Sequence, residues 1–230
     1  MNINAFFNPK GLINKNNSFN ESLKELFIVF GLLILANGCS SFFMTLCDLV
    51  IIEKYNFSFL KIIRNLQKIK TFDPIFVILI GPFLEELMFR LPLVINRKNF
   101  IIAVSIAIFY FFGIKISKVS LQNFNEWYFK ILAIIIFLIL NKFIIHRKIL
   151  HYLENNLFIQ YYYFSIILFG MLHIINFNSL IPENLIVFAP IFVLPQIILG
   201  FFVSYLRINN GFYWGLLFHC LYNSLSFLIY

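Results

Sequence analysis

The sequence predicts an all-α protein: a polytopic helical membrane domain with about seven transmembrane helices and one amphipathic helix at the interface. Three observations predict it. Of 230 residues, 61% are hydrophobic and only 12% charged, with a mean hydropathy of +0.87, more apolar surface than a water-soluble fold of this length hides. The apolar residues fall into runs of roughly 20, the length that crosses a bilayer as a helix. The apolar/polar alternation of an outer-membrane barrel is absent.

In chain order, residues 1–25 read as a polar leader and 26–230 as a single transmembrane domain. The stretch Met1 to Asn20 is Asn-rich and lacks the short apolar core and small residues of a secretory signal. The first span is Leu26 to Ile52, interrupted by Gly38, with Asp48 near the interface at its end. Lys54 to Lys70 has apolar positions at helical spacing among Lys61, Arg64, Lys68 and Lys70, the pattern of a helix lying on the membrane surface. The second span, Asp73 to Ile95, contains Pro82, which breaks the hydrogen-bond ladder locally. Phe100 to Ile114 is the third and Trp127 to Ile145 the fourth, with Trp127 and Tyr128 as interfacial anchors. His146 to Glu154 is a basic connection. Leu157 to Asn176 is the fifth span, Leu185 to Leu206 the sixth with Pro190 and Pro195, and Phe212 to Tyr230 the seventh. Asn209-Asn210-Gly211 between the last two is a tight turn.

The formal charge of +8 sits mainly in the connections, as at the ends of membrane helices. No aromatic-basic stripe or zinc-finger spacing accompanies it, so the expected partners are membrane lipid and a membrane-associated peptide or protein, not nucleic acid. The basic residues on the two sides nearly balance, which leaves the orientation open. Cys39, Cys47 and Cys220 all lie in apolar runs and read as buried free thiols rather than a disulfide framework. No feature of the sequence sets an oligomeric state.

Against this apolar background the polar groups inside spans stand out: Asp48, Glu85, Glu86, Arg90, His173, Asn176, His219 and Asn223. Ionisable groups are costly at membrane depth, face the protein interior or a cavity, and mark function. Glu86 and Arg90 are one helical turn apart and can pair, while Glu85 points about 100° away. His219 and Asn223 share a face at the same spacing, as do Phe169 and His173, which sets an aromatic ring against a histidine. Such groups also have bland uses: a Glu–Arg pair locks helices together, and an isolated His or Asn glues them. Their co-occurrence on three separate spans weighs against the bland uses, and the set is chemically sufficient for hydrolysis. A carboxylate acts as general base on water, a histidine carries the proton, and further donors face the developing oxyanion. There is no Gly-x-Ser-x-Gly elbow and no His-Glu-x-x-His zinc-protease motif.

Three motifs in order carry a family resemblance: Glu85-Glu86-Leu-Met-Phe-Arg90, Phe169-Gly-Met-Leu-His173 and His219-Cys-Leu-Tyr-Asn223. With these the chain resembles the CPBP (CAAX protease and bacteriocin-processing, or Abi) intramembrane proteases, which include the type II CAAX prenyl endopeptidases. The resemblance covers about 75–223, where Gln196 to Asn223 looks like the family's C-terminal helix pair. It implies an intramembrane endopeptidase in which Glu85 activates water with help from His173, Glu86 and Arg90 orient that carboxylate, and His219 and Asn223 stabilise the oxyanion. It implies a glutamate-type enzyme with no required cofactor. The alternative is zinc on Glu85, His173 and His219, since two histidines and a glutamate also form a catalytic zinc site. The expected setting is a bacterial plasma membrane, with peptide or bacteriocin maturation or self-immunity as roles. The rival readings are a non-enzymatic immunity or scaffold protein and a proton-coupled transporter.

Overall fold

A computed structural model of the chain describes residues 7–9, 17–68, 73–111 and 124–229. Every regular element among them is helical. Most of the expected leader, the end of the surface helix at Lys70, the end of the third span at Ile114 and the Trp127 side chain lie outside the described residues.

Helix α1 runs unbroken from Phe19 to Tyr55. It starts earlier than the leader boundary allowed, because Ser18 and Glu21 form a capping box: Ser18 N donates to the Glu21 carboxylate at 2.8 Å and Glu21 N to Ser18 Oγ at 3.3 Å. Gly38 does not interrupt it, since a lone glycine costs a helix only about 1 kcal/mol. Asn56 ends it in the left-handed region, φ 50°, with its N–H bonded to Ile52 O. That turn folds α2, Phe59–Lys68, back onto α1. Asp48, expected near the interface at the end of the first span, is drawn into the protein by this turn. It is 3% exposed and accepts from Ser58 Oγ at 2.6 Å, Phe59 N at 2.8 Å and Leu60 N at 3.4 Å, capping α2 from a neighbouring helix.

The expected second span is a composite: a π turn at Phe76–Ile80, α3 at Gly81–Phe89, and a 3-10 turn at Leu91–Leu93. Pro82 sits in the first turn of α3, where its missing N–H costs little within α3 itself. Helices α4 (Arg97–Phe111) and α5 (Phe124–Ile144) follow. The expected basic connection is itself a helix, α6, Arg147–Asn156, capped by His146, whose ring accepts from Lys148 N. It forms because Leu150 gives it a buried side and the cap satisfies its first turn. Helix α7 (Phe158–Leu172) continues as a 3-10 turn at His173–Asn176. The expected sixth span is a 3-10 stretch at Glu183–Val193 followed by α8, Leu194–Asn210, with Pro195 in its first turn. Gly211, at φ 103°, makes the tight turn into α9, Phe212–Ile229.

Helix α8 is the hub and packs against α1, α7 and α9. Leu26, Val29 and Leu33 of α1 meet Leu199, Val203 and Leu206 of α8 and Phe218 of α9. Glycines set the spacing: a Cβ on Gly170 would lie 3.0 Å from the Ile197 backbone nitrogen, and one on Gly215 would lie 3.2 Å from Val203 O. Small residues that let backbones approach closely are the main device of helix association in lipid.

Among the described residues, α1, the segment Phe158–Asn176 and the segment Glu183–Asn210 are long and apolar enough to cross a membrane, and Lys130–Asn141 is a shorter apolar helix. The expected count of seven falls to three by this measure. The second span is divided at its prolines and the third runs into residues outside those described. Along α1, outward side chains such as Phe27, Leu35, Phe42 and Val50 are more than half exposed, an apolar belt of the kind that marks a membrane contact. Cys39 belongs to this exposed face, against the expectation of a buried thiol, and all three cysteines are free.

Candidate active site

The charge site is assembled from α3, α7, α8 and α9. The sequence places Glu85, Glu86 and Arg90 on one short helix, and the fold brings His219 of α9 onto both carboxylates. His219 Nδ1 lies 2.8 Å from Glu86 Oε1, and Nε2 lies 3.6 Å from Glu85 Oε2. A carboxylate oxygen accepts, so Nδ1 carries a proton in the shorter contact and turns Nε2 towards Glu85. The carboxylates differ in environment. Glu86 is fully buried, whereas the Glu85 side chain keeps 20% of its exposure.

Arg90 is fully buried. Its Nε is 3.8 Å from Glu86 Oε1, an ion pair without a hydrogen bond, and its guanidinium carbon sits 3.8 Å from the centre of the Phe169 ring. Stacking on an aromatic face suits a planar, weakly hydrated cation in a dry site. Gly200 makes room for this stack, since a Cβ there would lie 2.9 Å from Phe169 Cδ1 and 3.0 Å from Arg90 Nη2. Phe169 also stands edge-on to both histidines, with ring centres 4.9 Å from His173 and 5.9 Å from His219. His173 Nδ1 is 3.0 Å from Phe169 O. A carbonyl only accepts, so Nδ1 bears the proton there and Nε2 is the basic nitrogen.

Asn223 is placed differently from the expected oxyanion donor. Its Nδ2 donates to Val77 O at 2.9 Å. The reason lies in the π turn. Gly81 N bonds back to Phe76 O, and the residue five after Val77 is Pro82, which has no N–H. Proline thus frees the Val77 carbonyl, and Asn223 satisfies it from α9. The expected trio on α9 and α3 is brought together in part: His219 joins the glutamates, and Asn223 anchors the turn that precedes them.

Two contributors were not foreseen. Ser165 Oγ donates to Phe89 O at 2.8 Å, closing a carbonyl left open where α3 ends before Pro92, and Arg207 Nε donates at 3.1 Å to Arg90 O, which also accepts from Leu93 N. Ser165, Phe169 and His173 recur every four residues, a helical spacing that could have drawn Ser165 into the site.

Zinc would require Glu85, His173 and His219 to converge. Among the described residues no three His, Cys, Asp or Glu side chains form a group that could hold a metal ion. His219 directs Nδ1 to Glu86 and His173 directs its own to a backbone carbonyl, contacts that metal-ligating histidines also make through their second ring nitrogen.

No protein-family model matches the chain. Neither the curated proteins nor the solved structures give a match.

Proposed function

We propose that the chain is a polytopic membrane endopeptidase that cleaves a peptide bond in a membrane-associated peptide or protein, with Glu85 as the base that activates water. The observation that carries this reading is the imidazole of His219 set between a buried and a partly exposed carboxylate. Glu86 fixes the ring and its tautomer, as an orienting carboxylate does in a triad, and His219 presents Nε2 to the neighbourhood of Glu85. Glu85, the more exposed of the pair, takes a proton from water. Glu85 passes that proton to Nε2 of His219, 3.6 Å away, and His219 delivers it to the departing amine as the C–N bond breaks and the water oxygen stays on the carbonyl carbon. His173, whose ring also packs against Phe169, offers a second basic nitrogen as part of the resemblance to the CPBP proteases. In this reading the apolar helices α1, α3, α4, α5, α7, α8 and α9 supply about seven crossings of a bacterial plasma membrane, with α2 and α6 at its surfaces.

The test is Glu85→Gln in the full chain. Loss of a positioned general base costs about 10²–10⁴ in rate. Uncleaved peptides should accumulate in a proteomic comparison with wild type at equal protein level. Undiminished cleavage would exclude the protease reading. A second reading, a helix-locking charge cluster in a non-enzymatic immunity or scaffold protein, is favoured by the complete burial of Glu86 and Arg90. It expects Glu85→Gln to leave any immunity phenotype intact.

A further inference from the structure

A second polar site lies apart from the glutamate pair, between the start of α4 and helix α6. It is a wide-open surface cavity of about 510 Å³ lined by Asn96, Arg97, Arg147, Lys148, His151 and Glu154, with Leu150 as its apolar floor. Three fixed cations there face one carboxylate, and among the described residues neither Arg147, Lys148 nor Glu154 forms an ion pair. Arg97 is held from behind, its Nη2 donating to Asn141 Oδ1 at 2.6 Å. Its Nε is buried with no hydrogen-bond partner. Both helices also begin at this cavity: Asn96 Oδ1 accepts from Asn99 N ahead of α4, and the His146 ring accepts from Lys148 N in the first turn of α6. Their positive dipole ends therefore add to the side-chain charge.

The surroundings narrow the anion to a class. Helix α6 connects the apolar helices α5 and α7, and beside the cations it exposes Ile149 at 59% and Tyr152 at 55%. Leu150 faces inwards to Phe137 and Ile145. A phosphate pocket bordered by exposed aliphatic and tyrosine side chains, at the end of a membrane-crossing bundle, matches a lipid better than a free ion. The excess of cations over Glu154 disfavours a headgroup that brings its own quaternary ammonium. We propose that this cavity holds the phosphate headgroup of an anionic phospholipid, with Arg97, Arg147 and Lys148 on the phosphate and the acyl chains along Ile149 and Tyr152.

Lipid retention by the full chain in mild detergent, read by native mass spectrometry, tests this. The expected result is retention of phosphatidylglycerol in preference to phosphatidylcholine. Arg147→Gln with Lys148→Gln should weaken it roughly fivefold per charge removed. Both residues are exposed, so the pair leaves folding intact. Lys61→Gln with Arg64→Gln on α2 should leave retention unchanged. Equal retention of the two lipids, or an equal loss in the α2 variant, would overturn the proposal. Inorganic phosphate displacing phosphatidylglycerol at matched concentration would show a free-anion pocket and overturn it too.

Discussion

At the scale of single residues, the two adjacent glutamates make opposite predictions. Among the described residues Glu86 is the only carboxylate within ion-pair distance of the buried Arg90, and it also holds His219 Nδ1. Glu86→Gln removes the nearer of two carboxylates acting on that cation and leaves Glu85 as the weaker partner, and breaking a buried pair costs up to about 3–5 kcal/mol. Glu85, at 20% side-chain exposure and 3.6 Å from Nε2, should cost less than about 1 kcal/mol as Gln, within the usual range for a partly exposed substitution. Unfolding midpoints in detergent compare the two directly, and a larger loss for Glu85→Gln would contradict the division. This part of the site was legible in the sequence, because charge inside apolar runs is conspicuous and helical spacing pairs Glu86 with Arg90. The role of Asp48 was not. Its partners Ser58, Phe59 and Leu60 come within reach only after the left-handed turn at Asn56 reverses the chain. Asp48→Ala should cost about 1–2 kcal/mol, the loss of a helix cap, and open α2 to proteolysis. Asp48→Asn, which keeps an acceptor oxygen, should lose less than half of that.

At the scale of elements, prolines decide where helical geometry changes, and the partner of each break lies on another helix. Pro82 frees the Val77 carbonyl and Asn223 takes it up. The sequence shows the break but not its acceptor, since Val77 and Asn223 are 146 residues apart. The coupling is measurable. Asn223→Ala should destabilise the wild type by about 1 kcal/mol, the cost of a half-buried acceptor left without its donor. In a Pro82→Ala background, where residue 82 regains an N–H, the same change should cost markedly less. A double-mutant cycle giving strictly additive effects would mean that the two sites are independent. The same distance problem hid Ser165 and Arg207, which close the end of α3 from α7 and α8. By contrast, Gly38 drew a break that does not occur, and the charged stretch after His146 concealed a helix whose buried Leu150 outweighs its surface charge.

At the scale of the whole molecule, the contacts define two ends. Tyr205 Oη donates to Glu25 Oε1 at 2.5 Å, and Asn209 Nδ2 also reaches the Glu25 carboxylate, which ties the start of α1 to the end of α8. Arg207 reaches the end of α3 there, and α4 and α6 begin beside it around the basic cavity. At the other end, α2 folds under α1 and Phe59 stacks on Phe192 at 4.4 Å. The 37 residues of α1 rise about 55 Å at about 1.5 Å each, more than the ~30 Å hydrocarbon core. Its exposed apolar side chains cluster from Phe27 to Ile52, with Phe19 and Tyr55 exposed at its two ends, and the cluster is nearer that thickness once the helix tilts. A crossing bundle thus has Lys61 of α2 and Arg147 of α6 on opposite sides of the membrane. With Cys39, Cys47 and Cys220 replaced by serine, single cysteines are placed by Lys61→Cys and Arg147→Cys. An impermeant thiol reagent added to intact cells should label only one of the two, and both after permeabilisation. Labelling of both in intact cells would put the two ends on one side, which no bundle with α1 as a membrane-spanning helix can satisfy.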